Sequence, residues 1–389
     1  MDCRSDDSIK NYVNENMEEA IILLETLGKI PAPSNHEEKR AEFCKEWFVN
    51  QGAEKVYIDD ALNVICEIGC EEHEDIVVFM AHTDVVFPDK QELQMKREGN
   101  ILYAPGIGDD TANLINLMMG TKYFLKNKVA TKKGILIVAN SGEEGMGNLK
   151  GCKEIFKNYG SRIKEFYSFD CYLGQCITEP VGSCRYKVTV KAQGGHSYAD
   201  FGNENAIITM SSLIQELYKI QVPKEAKTTY NVGCIEGGTT INSIAQECSI
   251  LYEYRSSSDK CLKTMENNFY KIINDFKEKG KMIEIEVLGV RPGMGQIDEE
   301  AFERWTNNNV SIIKKYFNGD VKLGTASTDA NIPLSMGVMA NTIGTIDGDD
   351  AHKREEWVDL NSIHMGLSIV LELMLQYAGG VWKNDISIH

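Results

Sequence analysis

The sequence predicts an α/β protein in which helices cover a mostly parallel sheet and a second, smaller domain is inserted into the first. Two observations predict this architecture. Short apolar runs of strand length alternate with helical patterns in the first half of the chain, which is typical of a helix-covered parallel sheet. After Pro180 the strands instead alternate polar and apolar residues, and beyond Arg291 the first pattern returns.

The elements of the first domain follow from the spacing of its apolar residues. Helical patterns occur at residues 17–28, where Gly28 and two prolines end the pattern, and at 37–48, 111–126, 151–159 and 360–377. Runs that predict buried strands occur at 64–68, 76–80, 135–139, 166–169 and 338–343. Because strands and helices alternate, neighbouring strands are expected to run parallel.

The inserted domain has a different order of elements. Alternating strand patterns lie at 184–192, 230–236, 246–254 and 283–288, and amphipathic helices lie at 206–220 and 261–276. The order βαββαβ is that of the ferredoxin-like split βαβ sandwich. We therefore predict a discontinuous first domain at residues 1–181 and 292–389, and an inserted domain at 182–291.

Composition excludes several classes of protein. The chain has 389 residues with 58 Asp and Glu against 41 Lys and Arg, a formal charge of −17. Such a chain lacks the basic face that nucleic-acid binding needs. No run predicts a membrane span, and residues 1–10 are too polar for a signal peptide. Without a secretory signal, the 11 cysteines predict reduced thiols and a cytoplasmic protein.

Histidine and acidic residues follow the predicted strands at the points where those strands end. His82 and Asp84 come after the run 76–80, Glu143 and Glu144 after 135–139, and Asp170 after 166–169. The carboxyl ends of the strands in an open α/β sheet face one crevice, so these groups are expected to converge. Asp109 and Asp110 lie in a glycine-containing loop, and His352 follows the last predicted strand.

Such a cluster of carboxylates needs protons or cations to offset their mutual repulsion. Imidazole together with carboxylate favours zinc, cobalt or manganese. The candidate ligands for two such ions are His82, Asp109, Glu144, Asp170 and His352. Glu143 beside a ligand fits a general base, and Asp84 fits a partner for the second ring nitrogen of His82.

These motifs resemble a known family: the co-catalytic zinc metallopeptidases and amidohydrolases that include carboxypeptidase G, peptidase T, acetylornithine deacetylase, succinyl-diaminopimelate desuccinylase and aminoacylase. The segments His82-Thr83-Asp84, Gly-x-Gly-Asp109-Asp110, Glu143-Glu144, Asp170 and His352 occur in the family's order. Later segments also match, among them 194–197, 237–244, 254–256 and 327–330. The resemblance implies a phosphorylase/hydrolase-like first domain and an inserted domain that serves as a lid and dimer interface.

The resemblance also implies a role for each site residue. His82 and Asp170 would hold one zinc ion, Glu144 and His352 the other, and Asp109 would bridge both. Glu143 would take a proton from a metal-bridging water and pass it to the leaving amine. In a homodimer, His196 would stabilise the oxyanion in the partner subunit's site, while Arg255 and Asn242 would hold the substrate.

The substrate remains open between alternatives. The leading hypothesis is an aminopeptidase acting on di- or tripeptides, the second an N-acyl-amino-acid deacylase, and the third a catalytically silent homologue that binds a peptide or metabolite. Two departures from the family pattern bear on this choice. Thr111-Ala112-Asn113 replaces the lysine or Met-Lys that many relatives carry after the second aspartate, and Cys171 stands where glycine is common.

Overall fold

A computed structural model describes residues 3–379, and residues 1, 2 and 380–389 lie outside the described range. The α-helices in chain order are α1 (Cys3–Leu27), α2 (Glu38–Asn50), α3 (Asn113–Lys126), α4 (Lys150–Tyr159), α5 (Ala206–Leu217), α6 (Asp259–Glu278), α7 (Glu299–Tyr316), α8 (Asn331–Ser335) and α9 (Ser362–Leu375). No helix within the described range combines the length and apolar character that a bilayer crossing requires.

The strands are numbered in the same way. They are β1 (Val56–Ile58), β2 (Val64–Ile68), β3 (Ile76–His82), β4 (Lys96–Glu98), β5 (Ile101–Tyr103), β6 (Gly134–Asn140), β7 (Ile163–Leu173), β8 (Gln175–Pro180), β9 (Gly182–Lys191), β10 (Gly195–His196), β11 (Thr228–Gly237), β12 (Ser243–Ile244), β13 (Glu247–Ser256), β14 (Met282–Arg291), β15 (Lys322–Ala326), β16 (Met339–Gly344), β17 (Gly348–Asp349) and β18 (Trp357–Asp359).

The chain divides into two compact units. The first comprises the described parts of Met1–Thr178, Gln296–Gly324 and Thr328–His389, and the second comprises Glu179–Gly295 and Thr325–Ser327. Each unit has its own hydrophobic core.

The first unit is built on a sheet with the strand order β1-β2-β6-β3-β7-β16-β8-β15. Its four central strands, β6, β3, β7 and β16, run parallel, whereas the pairs β1–β2, β2–β6 and β16–β8 are antiparallel. Every residue of β3 and β6 is buried, as expected for strands covered on both faces. Helix α3 packs against β3, β6 and β7, and α2 packs against β1 and β2. The predicted mostly parallel α/β sheet is confirmed.

Helix α1 differs from the sequence prediction because it begins at Cys3 rather than at residue 17. Ile9 and Val13 are buried in the first turns and continue the apolar stripe toward the amino terminus. Ile9 and Val13 have the four-residue spacing of a helix, but most other residues between positions 3 and 16 are polar or charged, so the apolar stripe is narrow there. The tertiary packing of α1 on α3 and α9 supports the additional turns.

The second unit carries a four-stranded antiparallel sheet with the order β11-β13-β9-β14. Helices α5 and α6 pack on this sheet, and their apolar residues form one core with the buried residues of β9 and β13. Residues along β13 alternate between buried and more exposed positions, as in a strand with one covered face. Along the chain, the four strands of this sheet and the two helices follow the order βαββαβ, and the two-residue strands β10 and β12 pair with each other outside it.

Candidate metal centre

Three neighbouring parallel strands bring their polar carboxyl-terminal residues to one edge of the first unit's sheet. His82 is the last residue of β3 and Asp84 follows two positions later, while Glu143 and Glu144 follow β6 and Asp170 lies within β7. In the sheet order, β3 lies between β6 and β7. All five side chains are at least nine-tenths buried. The convergence expected at the strand ends is therefore present.

Asp109 reaches this edge from a loop that includes the segment Ile107–Ala112, in which the backbone of Asp109 and Asp110 is not helical. The loop begins at Gly106, which has a φ of +70°. A side-chain Cβ at Gly106 would lie 2.2 Å from Cγ1 of Val85, so only glycine fits there. The peptide bond between Asp109 and Asp110 is cis. The loop thus presents the Asp109 carboxylate to the residues that follow the strands.

His352 reaches the cluster from a small sheet with the order β17-β18-β5-β4. It lies in the connection between β17 and β18, which pair antiparallel. Because β18 also pairs with β5, this hairpin is fixed next to the segment that leads into the Asp109 loop. The strands are only two or three residues long, so the sequence pattern does not reveal them.

The carboxylate of Asp109 contacts both histidines. Its Oδ1 lies 3.0 Å from Nε2 of His82, and its Oδ2 lies 3.2 Å from Nε2 of His352. Nε2 of His352 is also 3.1 Å from Oε1 of Glu144. Burial would raise the pKa of Asp109, but hydrogen bonds from His352 and His82 outweigh it and hold that pKa well below its usual range.

The donor atoms form three overlapping groups of metal-ligand type, and within each group they lie within 4.8 Å of one another. The groups are His82–Asp109–Asp170, Asp109–Glu144–His352 and His82–Glu143–Glu144. Asp109 belongs to two of them. Histidine nitrogens and carboxylate oxygens at this spacing fit divalent cations such as zinc, cobalt or manganese.

The protonation of the cluster supports the same conclusion. Burial, followed by the negative charge of Asp109, raises the pKa of Glu144 to about 8 and that of Asp170 to about 7. Hydrogen bonds to Asp109 and Glu144 raise the pKa of His352 to about 11. Protons thus offset the repulsion of the carboxylates, and cations at these donors would displace them.

We expect cation binding near neutral pH to release about three protons per chain, because His82, Glu144, Asp170 and His352 must lose the protons that they hold before they can act as ligands. Metal affinity should accordingly rise as the pH increases from about 6 to about 8, since fewer protons then compete for the donors. Calorimetric titration in two buffers of different ionisation enthalpy measures the released protons directly. An affinity that does not change across this pH range would contradict the expectation.

Asp84 supports the cluster through the backbone of the glutamate pair. Its carboxylate accepts hydrogen bonds from the N–H groups of Glu143 and Glu144, both at 3.0 Å, and from Oγ of Ser34 at 2.6 Å. Nδ1 of His82 is 3.5 Å from Oδ1 of Asp84 and 3.0 Å from its backbone oxygen. Asp84 therefore contacts the His82 ring and also orients the Glu143–Glu144 segment.

Glu356 is a supporting residue that the sequence analysis did not find. Its buried carboxylate accepts the N–H groups of Gly106 at 2.8 Å, Gly108 at 2.8 Å and Asp109 at 2.6 Å. Burial and the charge of Asp109 raise the pKa of Glu356 to about 7, against the opposing effect of these three bonds. The only signal in the sequence is an acidic residue four positions after His352.

Thr111, one of the departures from the family pattern, also holds the Asp109 loop. Its hydroxyl donates to the Gly106 carbonyl at 2.6 Å and accepts from Nη1 of Arg40 at 3.0 Å. The same Arg40 nitrogen donates to the carbonyl of Thr83 at 3.0 Å. The buried guanidinium therefore links the segment after β3 to the loop that carries Asp109.

His196 and Asn242, the predicted oxyanion and substrate residues, belong to the second unit and are exposed there. Nδ1 of His196 accepts the N–H groups of Tyr198 at 3.2 Å and Ala199 at 3.3 Å. The Asn242 side chain accepts from the Thr240 hydroxyl at 2.9 Å. The predicted roles of both residues stay predictions.

Arg255, the other predicted substrate residue, also belongs to the second unit. Its Nε and Nη2 donate to the two carboxylate oxygens of Glu253 at 3.0 and 3.1 Å. Arg255 lines a cavity of about 470 Å³ together with Lys227, Thr229 and other residues of this unit. The guanidinium therefore has a carboxylate partner from its own chain, and its predicted role stays a prediction.

Comparison with known proteins identifies the family. The profile of peptidase family M20/M25/M40 matches residues 78–376, which is more than half of the chain. The chain belongs to this family. The resemblance drawn from the motifs is thereby confirmed, and as a family member the protein is a metal-dependent hydrolase.

Three proteins illustrate what this chain is similar to. Succinyl-diaminopimelate desuccinylase of Hydrogenovibrio crunogenus is 23% identical over 222 residues, which are 51% of this chain and 58% of the relative. A tripeptidase structure from Staphylococcus aureus is 20% identical, with a TM-score of 0.72 over 92% of this chain and 97% of that one. A dinuclear metal-binding M20 peptidase of Bacillus subtilis is 13% identical, with a TM-score of 0.63 over 93% and 99%. These likenesses to solved structures show a shared fold.

Proposed function

We propose that the protein is a two-metal exopeptidase that releases the N-terminal residue of di- or tripeptides. The observation that carries this proposal is the Asp109 carboxylate, whose two oxygens face two histidines from two different donor groups. A carboxylate in this position can join two cations in one site. The tripeptidase and the dinuclear peptidase among the similar structures support the peptide substrate and the second cation.

Each cation would have its own ligands in addition to Asp109. His82 and Asp170 would hold one, and Glu144 and His352 would hold the other, in line with the groups around Asp109. Zinc is the first choice for this donor set, and cobalt or manganese would be accepted by the same ligands. When bound, the pair of cations polarises the scissile carbonyl and makes water a better nucleophile at neutral pH.

Glu143 is the proposed general base. A carboxylate oxygen of Glu143 lies within 4.8 Å of the donor atoms of His82 and Glu144, and its backbone is fixed by Asp84. From this position it takes a proton from the attacking water and delivers it to the leaving nitrogen. Glu144 next to it acts as a ligand, so the two adjacent glutamates have different tasks.

The second unit would supply the remaining contacts. We propose that His196 stabilises the oxyanion in the site of a second subunit, so that the active protein is a homodimer. A chain that sediments only as a monomer would contradict this role. Arg255 and Asn242 would bind the substrate's carboxylate or backbone, and a substrate carboxylate would then replace Glu253 at the guanidinium. The free thiols of the described cysteines support the proposed cytoplasmic location.

Product analysis tests the substrate class. The zinc-loaded protein is mixed with di- and tripeptides together with N-acetyl and N-succinyl amino acids, and the products are identified by mass spectrometry. We expect free N-terminal amino acids from the peptides and no release of acetate or succinate. Chelator-treated protein is the control and should leave the mixture unchanged.

The second candidate is an N-acyl-amino-acid deacylase, which the desuccinylase relative favours. Release of acetate or succinate in the same mixture would establish it in place of the peptidase. A mixture that remains intact with zinc-loaded protein would favour a catalytically silent member that binds a peptide or metabolite. The first two candidates share the two-cation site. The products formed from the mixture therefore identify the substrate class but do not test the number or identity of the cations.

A further inference from the structure

Asn113, the first residue of α3, uses its whole side-chain amide in hydrogen bonds. The side chain is fully buried. Its Oδ1 accepts the N–H of Thr345 at 2.9 Å and the Thr345 hydroxyl at 2.6 Å. Its Nδ2 donates to the carbonyl of Cys171 at 3.0 Å and to that of Gly108 at 3.3 Å. All four hydrogen-bonding positions of the amide are therefore occupied.

The two carbonyls that Asn113 binds belong to the immediate neighbours of two metal-ligand candidates. Gly108 precedes Asp109, and Cys171 follows Asp170. The carbonyl of Gly108 and the N–H of Asp109 are parts of one peptide unit, and that N–H donates to Glu356. This peptide is thus held at both ends, by Asn113 on one side and by Glu356 on the other.

Asn113 consequently joins two segments that are far apart in the sequence. Asp109 and Asp170 are both members of the His82–Asp109–Asp170 group. The Asn113 amide sets the separation of their backbones and connects both to Thr345, which follows β16. Glu144, by contrast, is held by Asp84, and none of the four hydrogen bonds of the Asn113 amide reaches its segment.

We propose that Asn113 is a positioning residue for the cation held by the His82–Asp109–Asp170 group. This inference rests on the proposed two-metal function. Asn113 acts through the carbonyls of Gly108 and Cys171 and touches neither the cation nor the substrate. Hydrogen bonds to metal ligands and their segments typically change metal affinity by about 10- to 100-fold. Asn113 should therefore affect one of the two cations more than the other.

Asn116, one helical turn later on α3, provides a matched control. It is fully buried like Asn113, and its Nδ2 donates to the carbonyl and hydroxyl of the same Thr345, at 3.1 and 3.0 Å. Its hydrogen bonds do not involve Gly108 or Cys171. Removing either asparagine side chain opens a cavity in the same helix and lowers the unfolding temperature. Only Asn113→Ala also releases the two segments next to Asp109 and Asp170.

The experiment titrates chelator-treated wild type, Asn113→Ala and Asn116→Ala with Zn²⁺ by calorimetry. We expect wild type and Asn116→Ala to bind two ions with the same affinities. In Asn113→Ala, the affinity of one cation should fall about 10- to 100-fold, and the affinity of the other, which shares only Asp109 with the released segments, should fall by clearly less. Titration with Co²⁺ adds an independent readout, because the visible absorption of one equivalent should change only in Asn113→Ala. The kcat of Asn113→Ala for peptide hydrolysis should be reduced when Zn²⁺ is limiting and should recover when Zn²⁺ is in excess. The KM of this variant should stay unchanged.

The outcomes separate this inference from the proposed function. Wild type that binds fewer than two ions would overturn the proposed two-metal site. Wild type with two ions and Asn113→Ala with unchanged affinities would overturn the inference alone, as would equal weakening in Asn116→Ala. If Asn113→Ala does not fold, Asn113→Asp replaces it, since Asp retains the size and the oxygen that Thr345 binds but lacks the amide donor. The same loss of one affinity is expected there.

Discussion

Replacing Glu143 by glutamine is expected to lower kcat for peptide hydrolysis about a thousandfold, because general bases typically contribute two to four orders of magnitude. Glutamine has nearly the same shape but cannot accept a proton at neutral pH. The backbone N–H of residue 143 still donates to Asp84, so the neighbouring ligand Glu144 stays in place. KM and the number of bound cations should therefore remain close to those of the wild type. Steady-state kinetics and metal analysis measure the three quantities.

Glu372→Gln is a suitable control for this variant. Glu372 is also a buried glutamate of the first unit, but it contacts Lys315 on α7, outside the cation cluster. Its replacement removes one negative charge and an ion pair, so the unfolding temperature should fall while kcat is retained. If Glu143→Gln kept wild-type kcat, another group would have to be the base, and the assignment of Glu143 would be wrong.

Replacing Glu356 by glutamine is expected to have the second-largest effect. The Glu356 carboxylate accepts three backbone N–H groups from the Asp109 loop, and a glutamine amide presents a donor where one carboxylate oxygen now accepts. Glutamine keeps one accepting oxygen, so at least one of the three buried N–H groups would lose its acceptor, and the free energy of unfolding should fall by about 1–3 kcal/mol. Since Asp109 serves both donor groups, both cation affinities should weaken by about 10- to 100-fold. Urea unfolding and calorimetry measure these effects.

Glu355→Gln controls for the loss of charge near the same position. Glu355 is the exposed neighbour of Glu356 in the chain. Its replacement should change the free energy of unfolding by less than about 0.5 kcal/mol, as is usual for surface substitutions, and should leave both cation affinities unchanged. Equal effects in the two variants would show that charge, and not the hydrogen bonds to the Asp109 loop, accounts for the result.

The parts of the fold with strong periodicity could be predicted from the sequence. The apolar runs of β3 and β6 are buried strands in the central sheet, because a strand covered on both faces needs a nearly continuous apolar segment. The small sheet formed by β4, β5, β17 and β18 was not predicted. Its strands have two or three residues, which are too few to show a periodic pattern in the sequence. These strands form because backbone segments that are far apart in the chain pair in the folded protein.

The residues of the candidate site could likewise be predicted only in part from the sequence. His82, Glu144 and Asp170 could be found because metal-binding residue types follow predicted strands, where the sheet topology brings them together. Glu356 and Asn113 could not be found in this way. They act on backbone groups, and any polar residue type can bind a backbone group in the appropriate tertiary position. Only the folded arrangement shows that these residues reach the Asp109 loop.

The central claim is that the groups around Asp109 hold two divalent cations for amide hydrolysis. The most direct test starts from chelator-treated protein that is titrated with Zn²⁺. At each step, native mass spectrometry counts the bound ions and an assay measures the rate of tripeptide hydrolysis. We predict that each chain binds two ions and that hydrolysis reaches its full rate when the second is bound. Chains that bind a single ion, or that bind two and cleave neither peptides nor N-acyl amino acids, would contradict the claim.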